Sequence, residues 1–311
     1  MNFLEVKDLT LGLKGAYLPL VEKVSFSLKK GQTLGIVGES GCGKSLTGLS
    51  LLRLFPPGII PYQGNIFLDG LSLFEIPERE LYKIRGKRIA IILQDPLTAL
   101  NPVLTIEEQV EEVLKVHFNF SKKERRERIY QLLSEVGIAE PKIRARSYPH
   151  ELSGGLRQRA MIAMALAGNP EILIADEPTT ALDPTLQIQI LELLKILKEE
   201  RQLTLIFITH DLALVRYLAD QIAVFYAGEI VEIAPTEVLF QNPLHPYTQT
   251  LISIFEKVEV PLKTLPVNLL NKPKGCRYGE RCFLDCKEGH KEHPELLQIN
   301  SFHRVRCWKY V

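Results

Sequence analysis

The eight residues Gly38-Glu39-Ser40-Gly41-Cys42-Gly43-Lys44-Ser45 fit the spacing G-x-x-x-x-G-K-S, the pattern of a phosphate-binding loop. Glycines let a backbone curl until its N–H groups converge on phosphate oxygens. A helix beginning near Gly43 points its positive dipole end at the same anion. In such a loop Lys44 reaches the β- and γ-phosphates of a nucleotide, and Ser45 ligates Mg²⁺. Cys42 reads as a small residue tolerated inside the loop, not as a redox switch. A second stretch, Ile172–Pro178 (ILIADEP), is an apolar strand ending in two acids. Asp176 there can hold the Mg²⁺ shell, and Glu177 can polarise a water for attack on the γ-phosphate. A third, Glu151–Arg159 (ELSGGLRQR), sets a serine and two glycines just before a helix. That turn offers a hydroxyl and backbone N–H groups, a second anion site. Two phosphate-binding turns so far apart in one chain imply that the second serves another subunit's nucleotide.

The C-terminal end carries a different chemistry. Cys276, Cys282, Cys286 and Cys307 follow the spacing C-x5-C-x3-C-x20-C. Four thiolates can close a tetrahedral Zn²⁺ site or hold a four-iron, four-sulfur (4Fe-4S) cluster. A zinc ribbon usually shows two tightly spaced cysteine pairs; the unmatched pairs here favour iron–sulfur. His290, His293 and His303 are alternative ligands. A metal would supply folding energy that so short a segment cannot draw from a core of its own.

The elements that must position these residues can be read from periodicity. LEVKDLTL and VEKVSFSLKKG have strand patterns, and QTLGIVG leads into the phosphate loop, with KSLTGLSLLRLF helical after it. GNIFLDG and RIAIIL read as strands, and residues 106–167 are mostly helical. EILIA and LTLIFI are short apolar runs of the kind buried parallel strands show. Their alternation with helices predicts an α/β core, closed by a hairpin in IAVFYAGEIVEIA. VPLKTLPVNLLNKPKG reads as a linker to the cysteines.

The 311 residues suffice for one large domain or two ordinary ones, and 46% apolar with 24% charged residues is a globular balance. A net charge of +1 gives no basic field for nucleic acid, and KKERRER (Lys122–Arg128) reads as a solvated helix face. The first residues lack the pattern of a signal peptide, and no apolar run is long enough to span a bilayer. A reducing cytoplasm is therefore expected, where clustered cysteines bind metal rather than form disulfides.

With these motifs in order, the chain resembles the ATPase subunits of ATP-binding cassette (ABC) transporters from about Leu4 to Ile254. The resemblance implies a P-loop ATPase core of α/β type with an antiparallel β-subdomain, a helical subdomain near 97–165, and bound ATP and Mg²⁺. Leu152, Ser153, Gly154, Gly155 and Gln158 are then the signature acting on the other subunit's nucleotide. Gln94 matches the Q-loop and a Mg²⁺ contact, Ala181-Leu182-Asp183 the D-loop, and His210 the switch histidine. Tyr17 is placed like the aromatic residue that stacks on adenine. QDPLTALNPVLTIEEQV, LHPYTQTLI and GCRYGERC look like the oligopeptide and dipeptide permease branch of importers. That branch implies residues 1–257 as the nucleotide-binding domain and 258–311 as a small cysteine-rich extension, with a four-iron cluster as its ligand. It further implies a second ATPase subunit (a paralogue), two transmembrane permease subunits, an extracytoplasmic peptide-binding protein, and a place on the cytoplasmic face of the membrane. Related importers carry nickel, glutathione or oligosaccharides. Two rivals are a soluble ABC ATPase acting on DNA or ribosomes and a metal or redox sensor with a vestigial ATPase. The first lacks a coiled-coil insertion, a tandem cassette and a basic stripe; the second is opposed by Glu177 and His210.

Overall fold

The computed structural model describes residues 2–15, 17–180, 182–258, 272–284, 286, 289 and 291–311. In chain order come β1 (Leu4–Leu13), β2 (Pro19–Leu28), β3 (Thr33–Gly38), α1 (Lys44–Ser50), β4 (Ile59–Leu68), β5 (Leu71–Ser72) and β6 (Ile89–Ile92). Then come α2 (Pro96–Ala99), α3 (Ile106–His117), α4 (Lys122–Glu135), α5 (Pro141–Arg144), α6 (Gly154–Leu166), β7 (Ile172–Asp176), α7 (Pro184–Arg201) and β8 (Thr204–Thr209). The chain closes with α8 (Leu212–Leu218), β9 (Gln221–Tyr226), β10 (Glu229–Pro235), α9 (Thr236–Gln241), α10 (Pro246–Phe255), β11 (Leu297–Gln298) and β12 (Arg304–Val305).

Contacts divide the chain into two units, and the division falls within β8. The first unit holds the described residues up to Glu75 and from Phe207 onward. It contains an antiparallel sheet in the order β2-β1-β4-β5 and the strand order β11-β12-β10-β9-β3. Strand β3 pairs parallel to β9, from Leu34 opposite Gln221 to Gly38 opposite Phe225. All six residues of β3 are buried, which explains why it reads as a continuous apolar run rather than an alternation. The expected hairpin is β9–β10, antiparallel and turned at Ala227 and Gly228, both at positive φ. The described residues from 272 onward belong to this unit and do not stand apart. Strand β12 pairs antiparallel with β10, Glu232 opposite Val305, and β11 pairs with β12. A segment this short cannot bury a core of its own, so it borrows an edge of the sheet.

The second unit spans Ile76–Ile206. Strands β6 and β7 pair in parallel, Ile89 opposite Ile172. Helices α3 and α4 each open on a capping box, Thr105 with Glu108 and Ser121 with Glu124, which satisfies two otherwise orphaned N–H groups per helix. The basic run on α4 pairs with acids of α3: Arg125 Nε lies 2.9 Å from Glu111 and Arg126 Nε 2.8 Å from Glu107. Asp183 caps α7 by accepting from the Leu186 N–H at 3.0 Å, and Gln202 at φ 54° ends it. No helix among the described residues is long and apolar enough to cross a membrane.

Candidate functional site

Strand β3 delivers Gly38 to the loop at φ 155°, where a Cβ would lie 2.2 Å from the Phe225 carbonyl oxygen; only glycine fits. Gly43, at φ 103°, starts α1 from the left-handed region that glycine enters at little cost. Lys44 is buried, and its Nζ donates to the carbonyls of Gly38 (2.8 Å) and Glu39 (3.0 Å). The lysine thus lies folded back along the loop that it would serve. Ser45 stands half-buried in the first turn of α1, while Ser40 and Gly41 are exposed at the loop's rim. Cys42 is fully buried, and burial pushes its thiol up to about 11 against the lowering pull of Lys44. It is therefore protonated at neutral pH, unlike a reactive thiolate.

Two more expected residues belong to this unit. Tyr17 is 75% exposed and its ring lies 5.1 Å from that of Tyr62. Tyr62 is fixed by donating its hydroxyl to the Leu13 carbonyl. One Tyr17 face is thus braced while the residue stays open to a ligand. His210 is exposed just after β8. Next to it, Asp211 caps α8 through the Ala213 N–H at 2.7 Å, so the histidine sits on a rigid strand-to-helix turn.

In the second unit, β7 is buried throughout and ends on Asp176. Asp176 and Glu177 are both buried. Glu177 has φ 50°, a left-handed conformation that a non-glycine residue adopts at a cost of about 1–3 kcal/mol and that clusters at functional sites. Thr180 Oγ1 donates to Glu177 Oε2 at 2.5 Å; the motif reading missed this threonine. Ser153 is exposed and caps α6 by accepting from the Leu156 N–H at 3.4 Å. Leu152 and Gly155 are buried. A Cβ on Gly155 would lie 3.2 Å from Leu186 on α7, so this glycine serves helix packing as well as the turn. A cavity of about 70 Å³ brings together exposed Gln94 and half-buried Asp95 with Gly154, Arg157, Gln158 and Leu182. Gln158 is 1% exposed and its Nε2 has no hydrogen-bond partner. Its side chain therefore faces this cavity, where the signature reading expects it on the partner's nucleotide. Asp183 is exposed; Ala181, the first residue of the D-loop, lies outside the described residues.

Cys276, Cys282, Cys286 and Cys307 line one cavity of about 400 Å³ in the first unit, together with His245, Tyr278, Gly289 and Trp308. No disulfide joins the described cysteines. Burial pushes the Cys276 thiol up to about 11, with the Cys282 and Cys307 thiols nearby adding to the rise. Cys307 is raised as well, by burial and by Cys282 and Cys286. Among the described residues, no three His, Cys, Asp or Glu side chains are grouped so as to hold a metal ion. The histidines named as alternative ligands are committed elsewhere. His303 Nε2 lies 2.7 Å from Glu232 and His293 Nε2 2.8 Å from Glu229; His290 lies outside the described residues. Burial alone would raise the Glu229 carboxyl, but His293, Arg306 and Arg277 together hold it below the ordinary range.

The turn before α10 joins the two regions of this unit. Buried Glu232 accepts the N–H groups of Leu244 (2.8 Å) and His245 (2.9 Å). His245 is buried and neutral, its pKa pulled down by burial to about 4, and its Nδ1 accepts from the Tyr247 N–H at 3.0 Å. Tyr247 then receives the Glu39 N–H on its hydroxyl at 3.1 Å. Neither Tyr247 nor Arg281, which pairs with Glu39, was expected from the sequence. Their only local signal is membership in the LHPYTQTLI and GCRYGERC stretches.

Residues 21–180 match the ABC transporter family and residues 231–288 the oligopeptide/dipeptide transporter C-terminal region. The chain is 43% identical over 318 residues to the oligopeptide transport ATP-binding protein OppD of Bacillus subtilis, covering 99% of this chain and 88% of that protein. It is also 43% identical over 301 residues to the dipeptide transport ATP-binding protein DppD of the same organism, covering 94% and 90%. Among solved structures, a dimeric ATP-binding cassette in a post-hydrolysis state, bound to ADP and Pi, superposes with a TM-score of 0.67 at 32% identity. The match covers 75% of this chain and 98% of that one.

Proposed function

The chain belongs to the ABC transporter family and is an ATPase of it; from that premise we propose that its ATP hydrolysis powers the import of di- and oligopeptides. The observation carrying the peptide assignment is the match over residues 231–288 to the C-terminal region of oligopeptide and dipeptide transporters. That region contains the Glu232–His245–Tyr247 turn and three of the four cavity cysteines.

Each motif has a role in this reading. Backbone N–H groups of Gly38–Ser45 cradle the phosphates, and Lys44 swings from its loop carbonyls onto the β- and γ-phosphates. Ser45, Asp176 and Gln94 each offer the hard oxygen donor that Mg²⁺ prefers, and the ion would neutralise phosphate charge. Glu177 takes a proton from the attacking water, with Thr180 fixing its carboxylate. His210 contacts the γ-phosphate and Tyr17 stacks on adenine. Ser153 and its turn serve the nucleotide of a second ATPase subunit, with Asp183 at the same junction. Closure of two such subunits moves two permease subunits through the region of Gln94. A peptide-binding protein delivers cargo from outside, and this chain works on the cytoplasmic face.

The four cysteines suit a 4Fe-4S cluster better than a single Zn²⁺. All four line one cavity of about 400 Å³, and their unmatched spacing is unlike the two tight pairs of a zinc ribbon. A cluster would supply cross-links between the turns bearing Cys276, Cys282, Cys286 and Cys307, stabilising the segment.

The test is reconstitution with the permease subunits and binding protein in vesicles. Labelled di- and oligopeptides should enter in an ATP-dependent way and stimulate ATPase activity. Uptake of nickel, glutathione or an oligosaccharide, with no peptide uptake, would replace the cargo assignment. Failure to co-purify with permease subunits would favour a soluble ATPase.

A further inference from the structure

Glu39 is an odd residue for its place. A nucleoside triphosphate brings several negative charges, and a bare carboxylate in the same eight-residue loop would repel them. The structure gives that carboxylate a dedicated partner. Arg281 Nη2 donates to Glu39 Oε1 at 2.7 Å and Nη1 to Oε2 at 3.0 Å, the bidentate fork that guanidinium makes with carboxylate. Arg281 is held in turn by the rings of Tyr226 (5.5 Å) and Tyr278 (5.8 Å), and its Nη1 reaches the Tyr226 hydroxyl at 3.4 Å. The rest of Glu39 is equally occupied. Its N–H donates to Tyr247 and its carbonyl accepts from Lys44. All of these residues lie in the first unit.

We propose that Arg281 is a positioning residue of the nucleotide site: it neutralises Glu39 and fixes the entrance of the phosphate loop, so that ATP affinity depends on the C-terminal segment. Tyr247 holds the backbone of the same residue. The inference rests on the reading of Gly38–Ser45 as the phosphate cradle. It extends the nucleotide site beyond the cassette motifs to a residue 242 positions away in the chain.

The experiment measures ATP binding to the full chain by titration calorimetry, with thermal melts as a folding control. Arg281→Ala should weaken ATP binding about fivefold to tenfold at low salt, the scale expected of an uncompensated charge at a part-exposed site. Arg281→Lys should recover most of the loss, because it restores the charge without the fork. Adding Glu39→Gln to Arg281→Ala should also recover it, because the repelling carboxylate is gone. At about 1 M salt, where screening acts within about 3 Å, the Arg281→Ala defect should shrink. Unchanged affinity in Arg281→Ala overturns the proposal. So does a loss that neither Glu39→Gln nor salt relieves, which would make Arg281 only an anchor for the segment. Lys44→Ala separates this from the cradle reading. If Lys44→Ala binds ATP like the parent, the cradle itself is misassigned; if Lys44→Ala fails and Arg281→Ala does not, only the present proposal falls. Should Arg281→Ala not fold, Arg281→Gln with and without Glu39→Gln is read in the same way.

Discussion

The phosphate loop and the cysteine segment share one unit but are shaped by opposite means. The loop's turns are set largely within itself, by Gly38 and Gly43 at positive φ and by Lys44 folded onto carbonyls five and six positions back, while Glu39 and Cys42 are also tied to distant Tyr247, Arg281 and Gly228. The cysteine segment takes its form from partners far away in sequence. Arg277 binds Glu22 across 255 positions, Arg281 binds Glu39 across 242, and His303 binds Glu232 across 71. A locally built motif can be tuned for chemistry without disturbing the fold. A remotely built segment answers first in stability and ligand affinity. Substitutions in the two regions should therefore separate by which measurement they move.

The largest effect is expected from Glu177→Gln in the second unit. The amide keeps the shape and can still pair with Thr180, but it cannot take a proton. Turnover should fall by about a hundredfold or more, with ATP binding and melting temperature unchanged. Steady-state ATPase assays beside a binding titration check this. Turnover near the parental rate would remove Glu177 from the chemistry and break the contrast between chemical and structural regions.

Next in size is the signature turn. Ser153→Asp is the cleanest probe, since aspartate caps a helix as well as serine does while placing a negative charge where a partner's phosphate would come. ATP binding to the isolated chain should be unchanged, and the ATPase activity of the assembled transporter should drop about tenfold. Gly155→Asp is a poorer probe because its Cβ would press on Leu186 at 3.2 Å and burial would strand the carboxylate. Equal losses in isolated and assembled forms would mean that the Ser153 turn touches nucleotide in its own subunit.

The same contrast governs what could be read from the sequence. The phosphate loop, the Asp176–Glu177 strand end and the β9–β10 hairpin are set by neighbours a few residues apart, so spacing reveals them. Lys122–Arg128 was legible as a solvated face, though not its pairing with Glu107 and Glu111, which the packing of α4 on the preceding helix α3 brings into reach. Arg281–Glu39, the Glu232 turn and β12 joining β10 depend on contacts with no local pattern. Gln158 shows the limit inside a motif: its position was legible, but its burial comes from the packing around α6.

A smaller effect is expected at the cysteines. Anaerobically purified chain should carry iron and sulfide, and Cys276→Ser should lose that iron and melt about 2–3 °C lower, the scale of about 1–2 kcal/mol in a chain of this length. The serine variant should still bind ATP through the intact loop, with any weakening no greater than that of Arg281→Ala. Zinc without iron would select the single-ion site instead. Neither metal would remove the metal role of the cavity, and the segment would then rest on its ion pairs alone.

The smallest and sharpest comparison sets Cys42 beside Cys276. Burial pushes both thiols up to about 11, but the first lies in the phosphate loop and the second in the remotely held segment. An ordinary thiol of pKa 9.0 is about one-tenth ionised at pH 8, and one near 11 about one-thousandth. Native Cys42 should therefore react with iodoacetamide about a hundredfold more slowly at pH 8 than in the urea-unfolded chain. The sign for stability follows. A thiol raised in the fold favours the fold below pH 9, and that contribution is lost as pH climbs toward 11. Peptide mapping by mass spectrometry gives each cysteine's rate. In cluster-free chain, Cys307→Ser should speed labelling of Cys276 and leave Cys42 as slow as before, because Cys42 does not line that cavity. If both accelerate together, the loop is not locally self-sufficient, and its shape depends on the cysteine segment as much as its charge does.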